Sequence, residues 1–242
     1  MNKYIIMFLF FVCLHLISLP GVCFGQSVVT RTANLESAVL SEKGVFYFDY
    51  THRFIITGAP AYKVVNFPTF ILAEGLFENT EIKARYATNS EIILGRPNEL
   101  EFMVKYNLSR IFTLPDISIA VAPSYNLTAN SLDGVIPVEF HITKDFQSTV
   151  NVVWLGNSAA SEKFEILFGA GIIYYLGDKM SIALDAKQTF GSFVWSAGLN
   201  FVIPESPHTI SLHVTDASTN TVQGSVFKAS SLRYGFEFTI RH

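Results

Sequence analysis

Cysteine is almost missing from this chain, with two in 242 residues, Cys13 and Cys23, both near the start. Neither a disulfide framework nor a thiolate metal site can hold the remainder together. Charge is also scarce: 15% of residues are charged against 50% hydrophobic, which excludes a disordered chain that cannot bury apolar surface. The 17 Lys+Arg do not exceed the 20 Asp+Glu, so there is no basic footprint for phosphate backbones and nucleic acid is not an expected partner. Sustained helical periodicity is missing too, and beyond the N-terminus no stretch of 18 residues is free of charges or breakers, so no helix is expected to span a membrane. What the chain does have is aromatic surface, 22 Phe and 10 Tyr.

Lys3 is followed by an apolar run from Tyr4 to Leu19, then by Pro20-Gly21 and the small positions Cys23 and Gly25. That is the layout of a secretory signal peptide over 1–25, cleaved after Gly25. The run is short for a membrane anchor, and Pro-Gly ends it. Lipidation of either cysteine is disfavoured by the Val before each, Val12 and Val22. The mature chain would be 217 residues without cysteine, carrying a net charge of −4. Residues 26–43 read as a short N-terminal lead and 44–242 as one β-barrel domain.

From residue 44 on, bulky apolar residues alternate with charged or small ones, the period of a strand with two unlike faces. Phe46, Phe48, Tyr50 and Phe54 oppose Asp49, Thr51 and Arg53, and Ile82, Ala84 and Tyr86 oppose Glu81, Lys83 and Arg85. Leu100, Phe102, Val104 and Tyr106 oppose Glu99, Glu101 and Lys105; near the C-terminus Leu232, Tyr234, Phe236, Phe238 and Ile240 oppose Arg233, Gly235, Glu237 and Arg241. Similar segments over 68–76, 114–126, 135–144, 148–156, 163–175, 180–188, 190–203 and 207–215 bring the expected total to twelve strands.

Tight turns centred on Glu78, Arg110, Asp145 and Asp178 recur at intervals of 32, 35 and 33 residues, and a fifth, Pro204-Glu205-Ser206-Pro207, follows. Longer stretches, 55–67, 87–98, 127–134, 157–162 and 216–229, lie between them. Short turns at one end and longer loops at the other describe an all-β, antiparallel, up-and-down transmembrane β-barrel with periplasmic turns and outer loops. A water-soluble β-barrel also alternates, but twelve strands each carrying several large apolar residues would overfill its interior, whereas a lipid-facing band uses them. Trp154, Trp195, Tyr106, Tyr174, Tyr175 and Tyr234 are expected in interfacial girdles. Outer-membrane lipid is then the surrounding partner.

His52-Arg53-Phe54, the turn from Leu76 to Ile82, and His208-Thr209-Ile210-Ser211-Leu212-His213-Val214-Thr215 resemble an uncharacterised family of Bacteroidetes outer-membrane β-barrel proteins, a domain of unknown function. The resemblance covers residues 44–242 and implies a barrel of this size in the cell outer membrane, without implying an activity. Barrels of this kind end on an aromatic residue that the barrel-assembly machinery reads; here the chain ends Ile240-Arg241-His242, and Phe238 is the nearest substitute.

Chemical motifs are thin. His52, His141, His208, His213 and His242 show no spacing suited to a metal site, and no cofactor is expected. Ser211 and His213 share a strand face and are the nearest approach to a nucleophile and base, with no third residue to orient the imidazole. Gly169-Ala170-Gly171 sits in mid-strand with no helix after it, so it reads as a bend or as space on the inner face rather than a phosphate loop. The non-apolar face is the informative feature: Asp49, Arg53, Glu81, Lys83, Arg85, Glu99, Glu101, Lys105, Glu139, His141, Glu165, Asp185, Lys187, Arg233 and Glu237 are expected to line a lumen. Segregated by sign, they would leave a narrow hydrated pore for ions or small solutes; paired across, they would plug the barrel. The alternatives are a closed barrel that binds a partner through loops 55–67 and 216–229, and a lipid hydrolase using Ser211 and His213. A non-enzymatic channel is the first expectation.

Overall fold

The computed structural model describes residues 31–109 and 116–242. The expected signal peptide with Cys13 and Cys23, the start of the lead, Arg110 of the second turn and the first residues of the strand expected at 114 lie outside the described residues. Twelve antiparallel strands form a closed barrel. They are β1 (Phe46–Ile56), β2 (Val64–Phe77), β3 (Thr80–Ala87), β4 (Glu99–Asn107), β5 (Ile117–Asn126) and β6 (Ser131–Thr143), then β7 (Phe146–Leu155), β8 (Glu165–Tyr175), β9 (Met180–Gln188), β10 (Phe193–Val202), β11 (Thr209–Ala217) and β12 (Lys228–Arg241). Each pairs with its neighbours in sequence, and β1 closes the ring against β12 from Tyr47↔Arg241 to Phe54↔Tyr234. Closure leaves no edge strand with unpaired backbone groups, the condition for strands in hydrocarbon.

The two faces separate as the alternation requires. Phe70, Leu72, Ile82, Phe102, Phe168, Ile172, Leu184, Leu199 and Leu212 are exposed on the outside, while the buried charged residues point inward. An apolar exterior around a charged interior is the reverse of a barrel dissolved in water, and it suits a lipid surround. Among the described residues no helix is long and apolar enough to cross a membrane. Trp154, Trp195, Tyr174 and Tyr234 lie on the outer face. Two expected girdle residues differ: Tyr106 has the outer parity of β4 but is buried, and Tyr175 has the inner parity of β8 and donates its hydroxyl to Gln147 Oε1 at 2.9 Å.

The end where β1 starts and β12 finishes holds the connections 78–79, 144–145, 176–179 and 203–208 and the β4–β5 connection; the other end holds 57–63, 88–98, 127–130, 156–164, 189–192 and 218–227. The loop expected over 127–134 is shorter because β6 starts at Ser131. Asp133-Gly134 looks like a turn but is strand, and the glycine is required there because any Cβ would collide with the indole of Trp154 from β7.

Candidate functional site

Thirteen of the fifteen expected lumen residues are buried inside the barrel: Asp49, Arg53, Glu81, Lys83, Arg85, Glu99, Glu101, Lys105, Glu139, Asp185, Lys187, Arg233 and Glu237. The other two are at the rim. Glu165, at the start of β8, is half-buried and accepts a bond from Ser161 Oγ at 2.9 Å. His141 is exposed, which corrects its pairing with Glu139: parity places it on the inner side, but the last three residues of β6 run beyond the wall into solvent.

The inward charges are not left to one another. The lead enters the barrel from the end where β1 starts, where Lys43 bridges Gly75, and residues 32–41 are almost wholly buried in the lumen. Its Glu36 meets three cations of adjacent strands: Lys83 Nζ at 2.6 Å, Lys105 Nζ at 3.1 Å and the Arg85 guanidinium. The wall supplies two acids to the same cluster. Register sets Glu81 directly opposite Lys105 and Arg85 directly opposite Glu101, so Glu81 lies 3.2 Å from Lys105 and 3.1 Å from Lys83, and Glu101 lies 2.7 Å from Arg85. Glu81 also accepts both the amide and the hydroxyl of Ser41 at 2.7 Å.

Further along, Asn151 grips the Glu36 peptide from both sides, accepting from its N–H at 2.8 Å and donating to its C=O at 3.0 Å. Asn34 gives its backbone N–H and its side-chain amide to Asp185, each at 3.0 Å, and its carbonyl receives Lys187 Nζ at 2.6 Å. Arg53, without an acid in reach, donates to the carbonyls of Ala33 and Ala217 and to Asn34 Oδ1. Arg31 pairs with Asp49 and Glu237 on β1 and β12. The lead thus carries its negative group to β3–β4 and its positive group to the β1–β12 seam. Leu35 makes room for itself on β8: a Cβ at Gly169 or Gly171 would come within 2.7–2.8 Å of its methyls. The expectation that these glycines provide inner space is met by a specific tenant.

From the other end, the β11–β12 connection folds into the lumen instead of outward. Thr219 and Thr221 donate to Glu99 at 2.7 and 2.6 Å, the Val222 amide to Glu101 at 2.8 Å, and Gln223 to both oxygens of Asp133. Val222 and Val226 pack with Met103, Ala122, Val135, Val153, Leu155 and Leu167 in an apolar patch inside the barrel. Loop 216–229, expected to reach for a partner, is therefore largely buried. Arg233 beneath it lies 3.7 Å from the Phe67 ring centre and 3.1 Å from Glu91. Between lead and loop remains a cavity of about 20 Å³ bounded by Glu36, Arg85, Asn151, Lys187, Thr221 and Ser225, room for a single water molecule.

Ser211 and His213 are both buried on the inner face, yet neither ring nitrogen of His213 has a hydrogen-bond partner among the described residues, and no bond joins the two. Among the described residues no group of three His, Cys, Asp or Glu could hold a metal ion. The functional residues that sequence reasoning missed are those that fill the lumen: Arg31, Asn34, Glu36, Asn151, Asp133, Thr219, Thr221 and Gln223.

No family model and no curated protein matches the sequence. Solved structures do match the fold. KdgM porin in complex with disordered oligogalacturonate superposes with a TM-score of 0.53 at 8% identity, over 81% of this chain and 98% of that one. Omp33 of Acinetobacter baumannii gives 0.50 at 10%, over 83% and 99%, and the outer membrane phospholipase A of Escherichia coli gives 0.50 at 12%, over 83% and 94%. At these identities the likeness is one of fold, a closed β-barrel shared with outer-membrane proteins, porins among them.

Proposed function

We propose that this chain is an outer-membrane channel for ions or small solutes, exported by the 1–25 signal peptide and closed by its own lead and β11–β12 connection. One observation carries the reading: the lumen is lined by thirteen buried charged side chains, and its contents are tied in by ion pairs and hydrogen bonds more than by apolar packing. Water and solute can substitute for such contacts, as they cannot for a dry apolar plug. The porins of the same fold support the reading, including one whose described complex is with an oligogalacturonate. Phe238, on the outer face near the end of β12, is the candidate signal for the barrel-assembly machinery, and the residues that resemble the Bacteroidetes family belong to β1, β2–β3 and β11.

The test is single-channel recording of the full chain in a planar bilayer under a salt gradient. Brief, discrete openings from a long closed state support the channel; insertion without openings at any voltage favours the second reading, a closed structural barrel. The occupation of the lumen from both ends is the observation behind that alternative. In it the partner-facing loop would be 57–63, whose residues are largely exposed, rather than 216–229.

A further inference from the structure

We infer that the Lys83–Arg85–Lys105 cluster is a binding site for a small solute's carboxylate, and that Glu36 is its built-in occupant. The solute's route to the site rests on the channel reading; the site itself does not.

Charge balance is the first argument. Within ion-pair distance the three cations meet two acids of the wall, Glu81 and Glu101, and the third carboxylate of the cluster is Glu36, brought in by the lead. A cluster needed merely to staple β3 to β4 would be complete with Glu81 facing Lys105 and Arg85 facing Glu101; Lys83 adds a third cation opposite Met103, where the wall has no acid in register. Three buried cations that share two contacting carboxylates are costly to leave without a third, so the cluster is shaped to receive an anion that the wall does not itself place there.

The second argument is how Glu36 is held. Both carboxylate oxygens are engaged, Oε1 by Lys83 and Lys105 and Oε2 by Arg85, while Asn151 takes the peptide N–H and C=O a side chain's length away. Guanidinium and ammonium groups converging on one carboxylate are the chemistry of carboxylate recognition. The matching ligand is a monocarboxylate with a donor and an acceptor set a few bonds from the acid group, as in small sugar acids or acylated amino acids. The water-sized cavity beside Glu36 and Asn151 gives an incoming molecule a foothold. On this view the solute competes with the lead's own carboxylate, and binding and opening are one exchange.

The experiment uses the full chain with Glu36→Ala, which removes a fragment equivalent to acetate. In detergent micelles, acetate at about ten times its dissociation constant should raise the melting midpoint of Glu36→Ala by about 3–6 °C. Acetamide should not, and wild type should respond to neither. Equal or absent responses to acetate and acetamide overturn the site. Bilayer recording of the same variant, with glucuronate as blocker and glucose as control, separates the two readings. An acetate-specific shift without conductance leaves the site standing and removes the channel; conductance without an acetate-specific shift does the reverse. Should Glu36→Ala not assemble, Glu36→Gln keeps the side chain's volume and decides the matter through the charge balance. Adding Lys83→Met should recover stability lost in Glu36→Gln, and a further loss on adding it overturns the inference.

Discussion

Lys105 is the residue on which the lead's anchorage can be measured. Its ammonium is fully buried and reaches Glu36 at 3.1 Å and the carbonyls of Ser37 and Val39 at 3.3 and 2.7 Å, besides wall residue Glu81 at 3.2 Å. Lys105→Met keeps most of the stem and removes the charge. Three of its four partners belong to the lead, so the loss falls chiefly on the lead's attachment rather than on the barrel ladder. Removing one partner from a buried ionic group costs about 3–5 kcal/mol, because Glu36 and Glu81 are left short of a cation. At 1.4 kcal/mol per decade, that is roughly two to three and a half orders of magnitude in the lead's opening equilibrium. Native-state hydrogen exchange reads it directly: the amides of Glu36 and Ser41, which bond to Asn151 and Glu81, should exchange faster by that factor, while β7–β10 amides hold their protection. Acceleration of less than tenfold at Glu36, or equal acceleration throughout the barrel, would refute the view that the lead is a separately released element held by this cluster.

Three other outcomes are expected. Gly169→Val places branched carbon where Leu35 sits, so the lead should become cleavable by added protease while the heat-modifiable gel mobility of the folded barrel persists; a protected lead would contradict the packing described. Thr221→Val removes a 2.6 Å bond to Glu99 and an acceptor for the Gly224 amide, and should cost about 1–3 kcal/mol in denaturant unfolding, with exchange at 219–226 accelerated first. His213→Leu replaces a buried imidazole that has no hydrogen-bond partner among the described residues with an apolar side chain of similar size, so stability should be unchanged or higher, and a loss above about 2 kcal/mol would reveal a partner for the ring.

The barrel was legible because a strand repeats every two residues: Glu81-Ile82-Lys83-Ala84-Arg85 already says which side chains share a face. Depth was not legible, and so His141 fails where Glu139 does not; parity gives a side of the wall, never the height at which the wall ends. Pairing was hidden as well, since nothing in one sequence says that Glu81 faces Lys105 rather than a residue two places away. The lead escaped because it has no periodicity. Only indirect marks of it were present: two inner-face glycines on β8 and three cations close together on the inner face of β3–β4. Loop 216–229 had its own mark, a run of small uncharged Ser, Thr, Asn and Gln, which suits a segment destined to donate hydrogen bonds to Glu99, Glu101 and Asp133 and not to meet solvent.

The lead precedes β1 in the chain, yet it touches β3, β4, β7, β9 and β11 as well as the seam between β1 and β12. A wall that zipped shut around empty space would have to bring Lys83, Arg85 and Lys105 together without their third carboxylate, and Asp185 without Asn34. Residues 31–43 therefore fill the barrel as a mandrel fills a coil, one continuous segment on which lumen side chains of β3, β4, β7 and β9 find their partners.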